Sequence, residues 1–243
     1  MDVKKEVNNI VNSIKDYFKS AGKTKAVVGN SGGKDSAVVI GLLSMALGSE
    51  NVIAITMPCY SISQDYEDAM LVVDRFKVRS KNLPLNDVND SMHKTIFENY
   101  GEKLTGEAAI NLKPRLRMTM LYAIAALENA LVVGTGNKCE LYIGYFTKYG
   151  DGGCDYNPIA DYLVSEVYQI ARHILVPSKI IAKDPADGIS GKSDEEKLGF
   201  TYAQVEDVII TGKTADAKAQ KRIERMHVIS EHKRTMPKCC VRL

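Results

Sequence analysis

No run of apolar residues in this sequence approaches the length of a membrane-spanning helix, although hydrophobic residues make up 45% of its 243 residues. The segment Met1 to Ser20 also lacks the unbroken apolar stretch of a secretory signal, because charged residues interrupt apolar ones at helical spacing. This segment is therefore predicted to be an amphipathic helix. The composition as a whole predicts a soluble globular protein that has no membrane partner.

The cysteines lack the patterns that would indicate a thiol-based site. Their number is odd and they include no Cys-x-x-Cys pair, which argues against a disulfide framework and against a zinc or iron–sulfur centre. The five residues are Cys59, Cys139, Cys154, Cys239 and Cys240. A reducing cytoplasm is the compartment that fits such cysteines best.

Neither sign of charge dominates, since the formal net charge is +2. The one dense basic cluster lies in the last quarter of the chain, so nucleic acid is not required as a partner. The length suffices for one large core but not for two full catalytic domains. We therefore expect a single domain over residues 1–243.

Short apolar runs alternate with stretches of helical periodicity. Strands are predicted at Lys25 to Val28, Asn51 to Met57, Lys81 to Leu85 and Ala130 to Val133. After the first helix, further helices are predicted at Ala37 to Leu47, Gln64 to Phe76, Val88 to Tyr100, Arg115 to Leu127, Ala160 to Ile174, from Thr201 onward, and at Thr214 to His232. Such alternation is typical of α/β proteins with a parallel, covered sheet. We expect a Rossmann-like, doubly wound parallel sheet flanked by helices.

A glycine-rich turn separates the first predicted strand from the next helix. It consists of Gly29, Asn30, Ser31, Gly32, Gly33, Lys34, Asp35 and Ser36. Backbone amides of such a turn converge on an anion at the helix N-terminus, which predicts a phosphate site, although short glycine turns often merely link two elements. A Walker A loop is excluded, because only three residues separate Gly29 from Gly33 and Asp35 follows Lys34.

Asp35 changes the chemistry expected of this turn. A carboxylate beside bound phosphates is repelled unless a cation such as Mg²⁺ lies between them. The string SGGKDS over residues 31–36 resembles the signature of the ATP pyrophosphatase family, whose enzymes split ATP into AMP and pyrophosphate. That family includes NAD, GMP, asparagine and argininosuccinate synthetases and several tRNA-modifying enzymes, so the turn alone does not name the substrate.

Longer blocks narrow the choice. NLKPRLRM, VVGTGNKCE, GYFTKYGDGG and PIAD between Asn111 and Asp161, followed by SDEEKLGFTY and EHKR, resemble ammonia-dependent NAD synthetases. The resemblance implies the adenine nucleotide alpha-hydrolase-like fold and a homodimer. It also implies a ligase that converts deamido-NAD, ATP and ammonia to NAD, AMP and pyrophosphate through an adenylated intermediate. The chain has no room for the amidohydrolase domain of glutamine-using relatives, so free ammonia or a separate donor protein is expected.

The same resemblance assigns roles to individual residues. Asp35 and Glu140 are expected to bind Mg²⁺, and Thr135 is expected to contact ATP together with the glycine-rich turn. Apart from the resemblance, the chemistry of the reaction suggests catalytic roles for Lys34, Asp35 and Asp151, with Asp151 helping to deprotonate ammonium. The residues expected to bind deamido-NAD are Arg117, Lys148, Asp155, His232 and Lys233.

Two positions depart from the family pattern. Val164 stands where many relatives carry Lys, and Ala186 stands where they carry Ser or Thr. Both family positions normally contact ATP, so Lys183 or Lys192, in a predicted loop from Lys183 to Lys192, could substitute. Two alternatives stay open at this point: a tRNA-modifying adenylating enzyme of the same class, and a non-catalytic adenine-nucleotide sensor.

Overall fold

The structure, a computed structural model, describes residues 1–183 and 194–240 and contains a four-stranded parallel sheet in these residues. Its strands are β1 Ala26–Gly29, β2 Val52–Thr56, β3 Arg79–Asn82 and β4 Leu131–Val133, in the order β3-β2-β1-β4. All three strand pairs are parallel. The predicted α/β class and doubly wound sheet are confirmed, with each strand within two or three residues of its predicted limits.

The described residues form helices α1 Val3–Ser20, α2 Lys34–Leu47, α3 Ser63–Phe76, α4 Asn86–Tyr100, α5 Gly106–Glu128, α6 Lys138–Ile143, α7 Val164–His173, α8 Ser178–Ile181, α9 Asp194–Leu198, α10 Tyr202–Thr211, α11 Ala217–Ile229 and α12 Glu231–Arg234. Within the described part of the chain, none of these helices is long and apolar enough to cross a membrane.

The sheet is buried on both faces, which explains its short runs of Val, Ile and Ala. Side chains alternate along β1: Ala26 and Val28 pack with helices α1, α2 and α7, while Val27 packs on the opposite side with residues of α5. A third apolar cluster joins α6, α10 and α11. This cluster places the last described helices beside the carboxyl end of β4.

Strand order reverses between β1 and β4. The chain passes from β1 to β2 and β3 on one side and then crosses back to β4 on the other side of β1. In open parallel sheets, ligands bind outside the carboxyl ends of the strands at such a switch point. The glycine-rich turn after β1 and the segment after β4 meet there.

Several helix boundaries differ from the predictions, and the structure gives a physical reason for three of them. Helix α5 begins at Gly106 rather than Arg115, although Pro114 lies inside it. Proline removes one helical hydrogen bond, but the preceding turn is held because the Thr147 hydroxyl donates to Asn111 Oδ1 at 2.6 Å. The earlier interpretation that Arg115 and Arg117 begin a helix is therefore wrong, since both lie in its interior.

The other two boundaries are set by side-chain hydrogen bonds. Helix α7 begins at Val164 rather than Ala160, because Glu166 Oε2 accepts the Leu163 backbone N–H at 2.9 Å and fixes the first turn there. The predicted helix from Thr214 to His232 is divided at Ser230. The Ser230 hydroxyl donates to Met226 O at 2.6 Å and so competes with the helical backbone pattern.

An ion-pair cluster fastens α3 to the end of α8. Asp68 is 2% exposed and accepts from Lys179 Nζ at 2.8 Å and from Lys183 Nζ at 3.0 Å. Lys183 also lies 2.8 Å from Asp65. Burial raises the pKa of Asp68, but the hydrogen bonds from Lys179 and Lys183 outweigh it and hold the pKa below its ordinary value.

We expect Asp68→Asn to lower the free energy of unfolding by about 2 kcal/mol at neutral pH, because charge-assisted hydrogen bonds are lost. Since the folded pKa is depressed, this contribution is present above the unfolded pKa of about 4 and is lost as pH falls below it. Urea unfolding between pH 7 and pH 2.5 measures the difference. Glu98→Gln, which breaks an exposed 3.8 Å pair with Lys94, is the control and should cost under about 0.5 kcal/mol. Equal losses for both variants would contradict the assignment.

Candidate active site

The glycine-rich turn leaves the N-terminus of α2 open to a ligand. Gly33 is the N-cap and provides no side-chain cap, so the first amides of this 14-residue helix are available to an anion. The turn is held by its own side chains. Asn30 Nδ2 donates to Ala69 O at 2.9 Å, and the Ser31 and Ser36 hydroxyls lie 3.1 Å apart.

Gly32 lets this turn approach α3 closely. Its φ is +73°, and a Cβ at this position would lie 2.4 Å from the Asp65 carbonyl oxygen and 3.0 Å from the Asp68 Cβ. A side chain therefore cannot be accommodated without movement of backbone. The glycine-rich turn and the Asp68 ion-pair cluster are therefore packed against each other.

Lys34 and Asp35 form the first turn of α2. Lys34 is 6% exposed, and its ammonium lies 2.7 Å from Asp35 Oδ1 and 4.7 Å from the centre of the Tyr168 ring on α7. The cation is thus held by a carboxylate and an aromatic face. Lys34 is the first residue of α2, the end of the helix where phosphate charge is expected.

A second carboxylate comes from the segment after β4. Glu140 lies in the first turn of α6, where its Oε2 accepts the Asn137 N–H at 2.9 Å in a capping box. Desolvation and the nearby charge of Asp35 raise the pKa of Glu140 well above its ordinary value. A carboxylate whose charged form is destabilised by burial and by a neighbouring carboxylate is suited to a cation. Thr135, two residues beyond β4, lies on the same edge of the sheet.

Of the two departures from the family pattern, Val164 lies among the described residues. Val164 is 7% exposed and packs in the same apolar cluster as Cys139 and Tyr202. Lys183 is bound by Asp65 and Asp68 in this structure. Ala186 and Lys192, with most of the predicted Lys183 to Lys192 loop, lie outside the described residues.

Arg117 is a half-buried cation at one side of the site. Its Nε donates to Met57 O at 3.1 Å. Among the described residues, no carboxylate forms an ion pair with its guanidinium. Burial lowers its pKa, while Cys59 and Asp151 oppose that effect. Because a guanidinium keeps its charge in proteins, this position is suited to an anionic ligand.

Lys148, His232 and Lys233 are brought together where α12 packs on residues 144–148. Lys148 Nζ donates to His232 O, and Lys233 Nζ donates to Gly144 O and Phe146 O, both at 2.7 Å. Asp151 Oδ1 accepts the Thr147 N–H at 3.0 Å. Its charge acts on Glu140, Arg117 and Lys233, so Asp151 lies within electrostatic range of all three.

Asp155 is placed differently from the other predicted deamido-NAD ligands. Its Oδ2 accepts the Val132 N–H at 2.8 Å and its Oδ1 accepts the Tyr122 hydroxyl at 3.0 Å, so its carboxylate is bonded at the edge of β4. Beside it, the rings of Tyr17 and Tyr156 stack at 4.6 Å. The Asp155 carboxylate is therefore held in place and can still accept hydrogen bonds from a ligand.

Two aromatic residues of the site were missed by the sequence analysis. Tyr168 lies under the Lys34 ammonium, and Tyr202 is a buried tyrosine whose charged neighbours include Glu140 and Asp35. Tyr202 falls in the SDEEKLGFTY block, which was the available signal, although the block does not single it out. Tyr168 has no comparable sequence signal.

Comparison with known proteins agrees with this geometry. The family model described as NAD synthase matches residues 6–237. The NH(3)-dependent NAD(+) synthetase of Archaeoglobus fulgidus is 42% identical over 243 residues, which cover 98% of this chain and 96% of that protein. The tRNA-modifying and sensor alternatives are not favoured by these relatives.

Solved structures give the same result. An NMN synthetase from Francisella tularensis is 31% identical with a TM-score of 0.92, and covers 99% of both chains. An NH3-dependent NAD synthetase from Campylobacter jejuni is 30% identical with a TM-score of 0.81, and covers 99% of this chain and 100% of its own. The fold is therefore that of the adenine nucleotide alpha-hydrolase-like synthetases, and the chain belongs to the NAD synthase family.

Proposed function

We propose that this protein is an ammonia-dependent NAD synthetase that converts deamido-NAD, ATP and ammonia to NAD, AMP and pyrophosphate. The observation that carries the proposal is the open helix N-terminus of the glycine-rich turn beside the Asp35 and Glu140 carboxylates, at the switch point of the sheet. The relatives named NH(3)-dependent NAD(+) synthetase match over nearly the whole chain, which supports ammonia as the amide donor.

The first step makes the nicotinate carboxylate reactive. A carboxylate repels nucleophiles, so one of its oxygens attacks the α-phosphorus of ATP and the bond to the β,γ-pyrophosphate breaks. The amides of residues 31–36 bind the phosphates. Lys34, which is already positioned by Asp35 and Tyr168, stabilises the charge that develops on the departing pyrophosphate. Positioning and electrostatics supply the acceleration, without a covalent nucleophile.

Magnesium is the cation that fits the two carboxylates. Asp35 and Glu140 would hold it, and no group of three metal-binding side chains exists in the described residues, so phosphate oxygens and water would complete its ligands. When bound, the ion neutralises phosphate charge and so assists departure of pyrophosphate.

The second step replaces AMP by ammonia. Ammonia attacks the acyl carbon of the adenylate, the bond to the AMP oxygen breaks, and the attacking nitrogen loses a proton to give the amide. Asp151, whose charge acts on both Glu140 and Lys233, is the residue we propose to accept a proton from ammonium. Arg117, Lys148, His232 and Lys233 would bind deamido-NAD from the basic side, and Asp155 would bind it from the edge of β4.

The test is an assay with ATP, Mg²⁺, ammonium and deamido-NAD, in which NAD, AMP and pyrophosphate should appear in equal amounts. Glutamine in place of ammonium should support little turnover. ATP binding without turnover would instead favour a sensor.

The assay should also be run with a second substrate, because the solved structure with a TM-score of 0.92 is named an NMN synthetase. The corresponding amidation starts from nicotinate mononucleotide, which lacks the adenylate half of deamido-NAD. We expect kcat/KM to be higher for deamido-NAD. A higher value for the mononucleotide would reassign the substrate but keep the reaction class.

A homodimer is the proposed assembly. Helix α5 has 23 residues but buries only Ala125, and the neighbouring α4 exposes Val88, Met92, Phe97 and Tyr100 by 40–77%. Apolar surface of this extent is typical of an interface, and the family resemblance makes a second copy of the chain its occupant.

The free thiols of Cys59, Cys139 and Cys154 suit the reducing cytoplasm, where we place the enzyme.

Phe97→Asp is expected to convert the dimer to a monomer, because a carboxylate would be buried at the interface without a partner. Sedimentation velocity measures the mass. Met45→Asp is the control, since Met45 is 48% exposed on α2, away from this face. A wild-type protein that sediments as a monomer would contradict the assembly.

A further inference from the structure

Tyr202 ends in a hydroxyl that has no protein partner in the described part of the chain. The residue is 5% exposed, and its Oη makes no hydrogen bond to any atom of residues 1–183 and 194–240. An unpaired buried hydroxyl is costly, and native proteins rarely retain one without a purpose. A ligand that supplies the missing acceptor would account for it.

The position of Tyr202 is fixed by its surroundings. It is the first residue of α10, whose capping box joins Thr201 and Gln204, and its backbone N–H donates to Glu195 Oε1 at 2.8 Å. The side chain belongs to the apolar cluster that also contains Val164 and Cys139. The ring therefore cannot turn away freely to find another partner, and the hydroxyl is held in advance of ligand binding.

Both carboxylates of the candidate site, Asp35 and Glu140, lie within electrostatic range of this hydroxyl. Burial raises the pKa of Tyr202 strongly, and Glu140, Asp194, Asp35 and Tyr145 raise it further, in that order. Asp194 already accepts a hydrogen bond from the Tyr145 hydroxyl at 3.2 Å. Tyr202 thus remains protonated and can act only as a neutral donor or acceptor here. The neighbouring Val164 offers no donor.

We propose that the Tyr202 hydroxyl donates a hydrogen bond to an oxygen that the bound nucleotide and its cation bring between Asp35 and Glu140. That oxygen is either a non-bridging oxygen of a phosphate or a water bound to the cation. A neutral donor suits this place, because it stabilises an anionic oxygen without disturbing the balance between the cation and the two carboxylates. The inference rests on the proposed function, in which this site takes ATP and a divalent cation.

Tyr202→Phe removes one oxygen atom and keeps the ring in its apolar cluster. The free protein should be at least as stable as the wild type, because the unpaired hydroxyl is removed and no hydrogen bond to the described residues is lost. Its affinity for a non-hydrolysable α,β-methylene analogue of ATP, measured calorimetrically with Mg²⁺, should fall roughly 10-fold. Tyr162→Phe is the control: it removes a hydroxyl that donates to Glu6 at 2.9 Å, so it should lower the unfolding temperature and leave nucleotide affinity unchanged.

Titrations with and without a divalent ion identify the oxygen that accepts the hydrogen bond from Tyr202. If the loss of affinity persists when the analogue is titrated without a divalent ion, the acceptor is a phosphate oxygen. If it occurs only with Mg²⁺, the acceptor is a water on the ion. Either result supports the inference.

The inference and the proposed function can fail separately. Wild-type affinity in Tyr202→Phe, or a fall in unfolding temperature like that of Tyr162→Phe without loss of affinity, would overturn the role of Tyr202 alone. A wild-type protein that neither binds the analogue nor makes NAD would overturn the proposed function, and the inference with it.

Discussion

Replacing Asp35 by asparagine is expected to lower kcat/KM for NAD formation by about 10³-fold, while the protein stays folded. The carboxylate is proposed to bind the cation that screens the triphosphate, and it also holds Lys34 at 2.7 Å. Asparagine has almost the same shape but no charge, so both functions are impaired. Loss of one preorganised electrostatic group in an active site typically costs 10²–10³ in rate, and here two effects combine.

The measurement is steady-state NAD formation at saturating Mg²⁺, with thermal unfolding recorded for each variant. Asp16→Asn is the control, because Asp16 is an exposed carboxylate on α1 and should change kcat/KM by less than about twofold. If Asp35→Asn kept activity within about threefold of the wild type, the metal-bridged triphosphate would have to be abandoned. A large fall in unfolding temperature would instead assign the residue a structural role.

The features predicted well are those whose physical cause lies within a short segment. The turn from Gly29 to Ser36 contains its own glycines, donors and helix start, so its place between β1 and α2 could be predicted without knowledge of the rest. The strands are short runs buried on both faces, and that burial leaves a direct mark on composition. The switch point then follows from the order of elements, because parallel strands bring their carboxyl ends to one edge.

Features that depend on distant segments were not predicted. Tyr168 lies under Lys34 only because α7 packs on α2, and Tyr202 comes within electrostatic range of Asp35 and Glu140 only because α10 packs on α6. Helix α5 continues through Pro114 because a loop more than 30 residues away supports it. Local propensity favours a break at proline, and tertiary contacts override it.

Gly32→Ala is expected to lower the free energy of unfolding by about 3 kcal/mol, of which about 1 kcal/mol reflects the positive φ and the rest the overlap with α3. The added Cβ would lie 2.4 Å from the Asp65 carbonyl oxygen, a backbone atom that cannot move alone. Asp65 and Asp68 are bound by Lys183, and Asp68 also by Lys179, so α3 resists displacement. The turn should shift instead, and its amides would lose their common direction toward the phosphates.

Gly22→Ala separates the two causes. Gly22 has a φ of +63°, close to that of Gly32, but nothing lies within 4 Å of a Cβ added there. It should therefore lose only about 1 kcal/mol and bind nucleotide normally. At about 2–4 °C per kcal/mol, the two unfolding temperatures should differ by roughly 4–8 °C, and only Gly32→Ala should lose nucleotide affinity. Equal losses of stability in the two variants would contradict this account, because the left-handed backbone alone would then explain both losses. The close approach of the glycine-rich turn to α3 would in that case contribute nothing to the cost of Gly32→Ala.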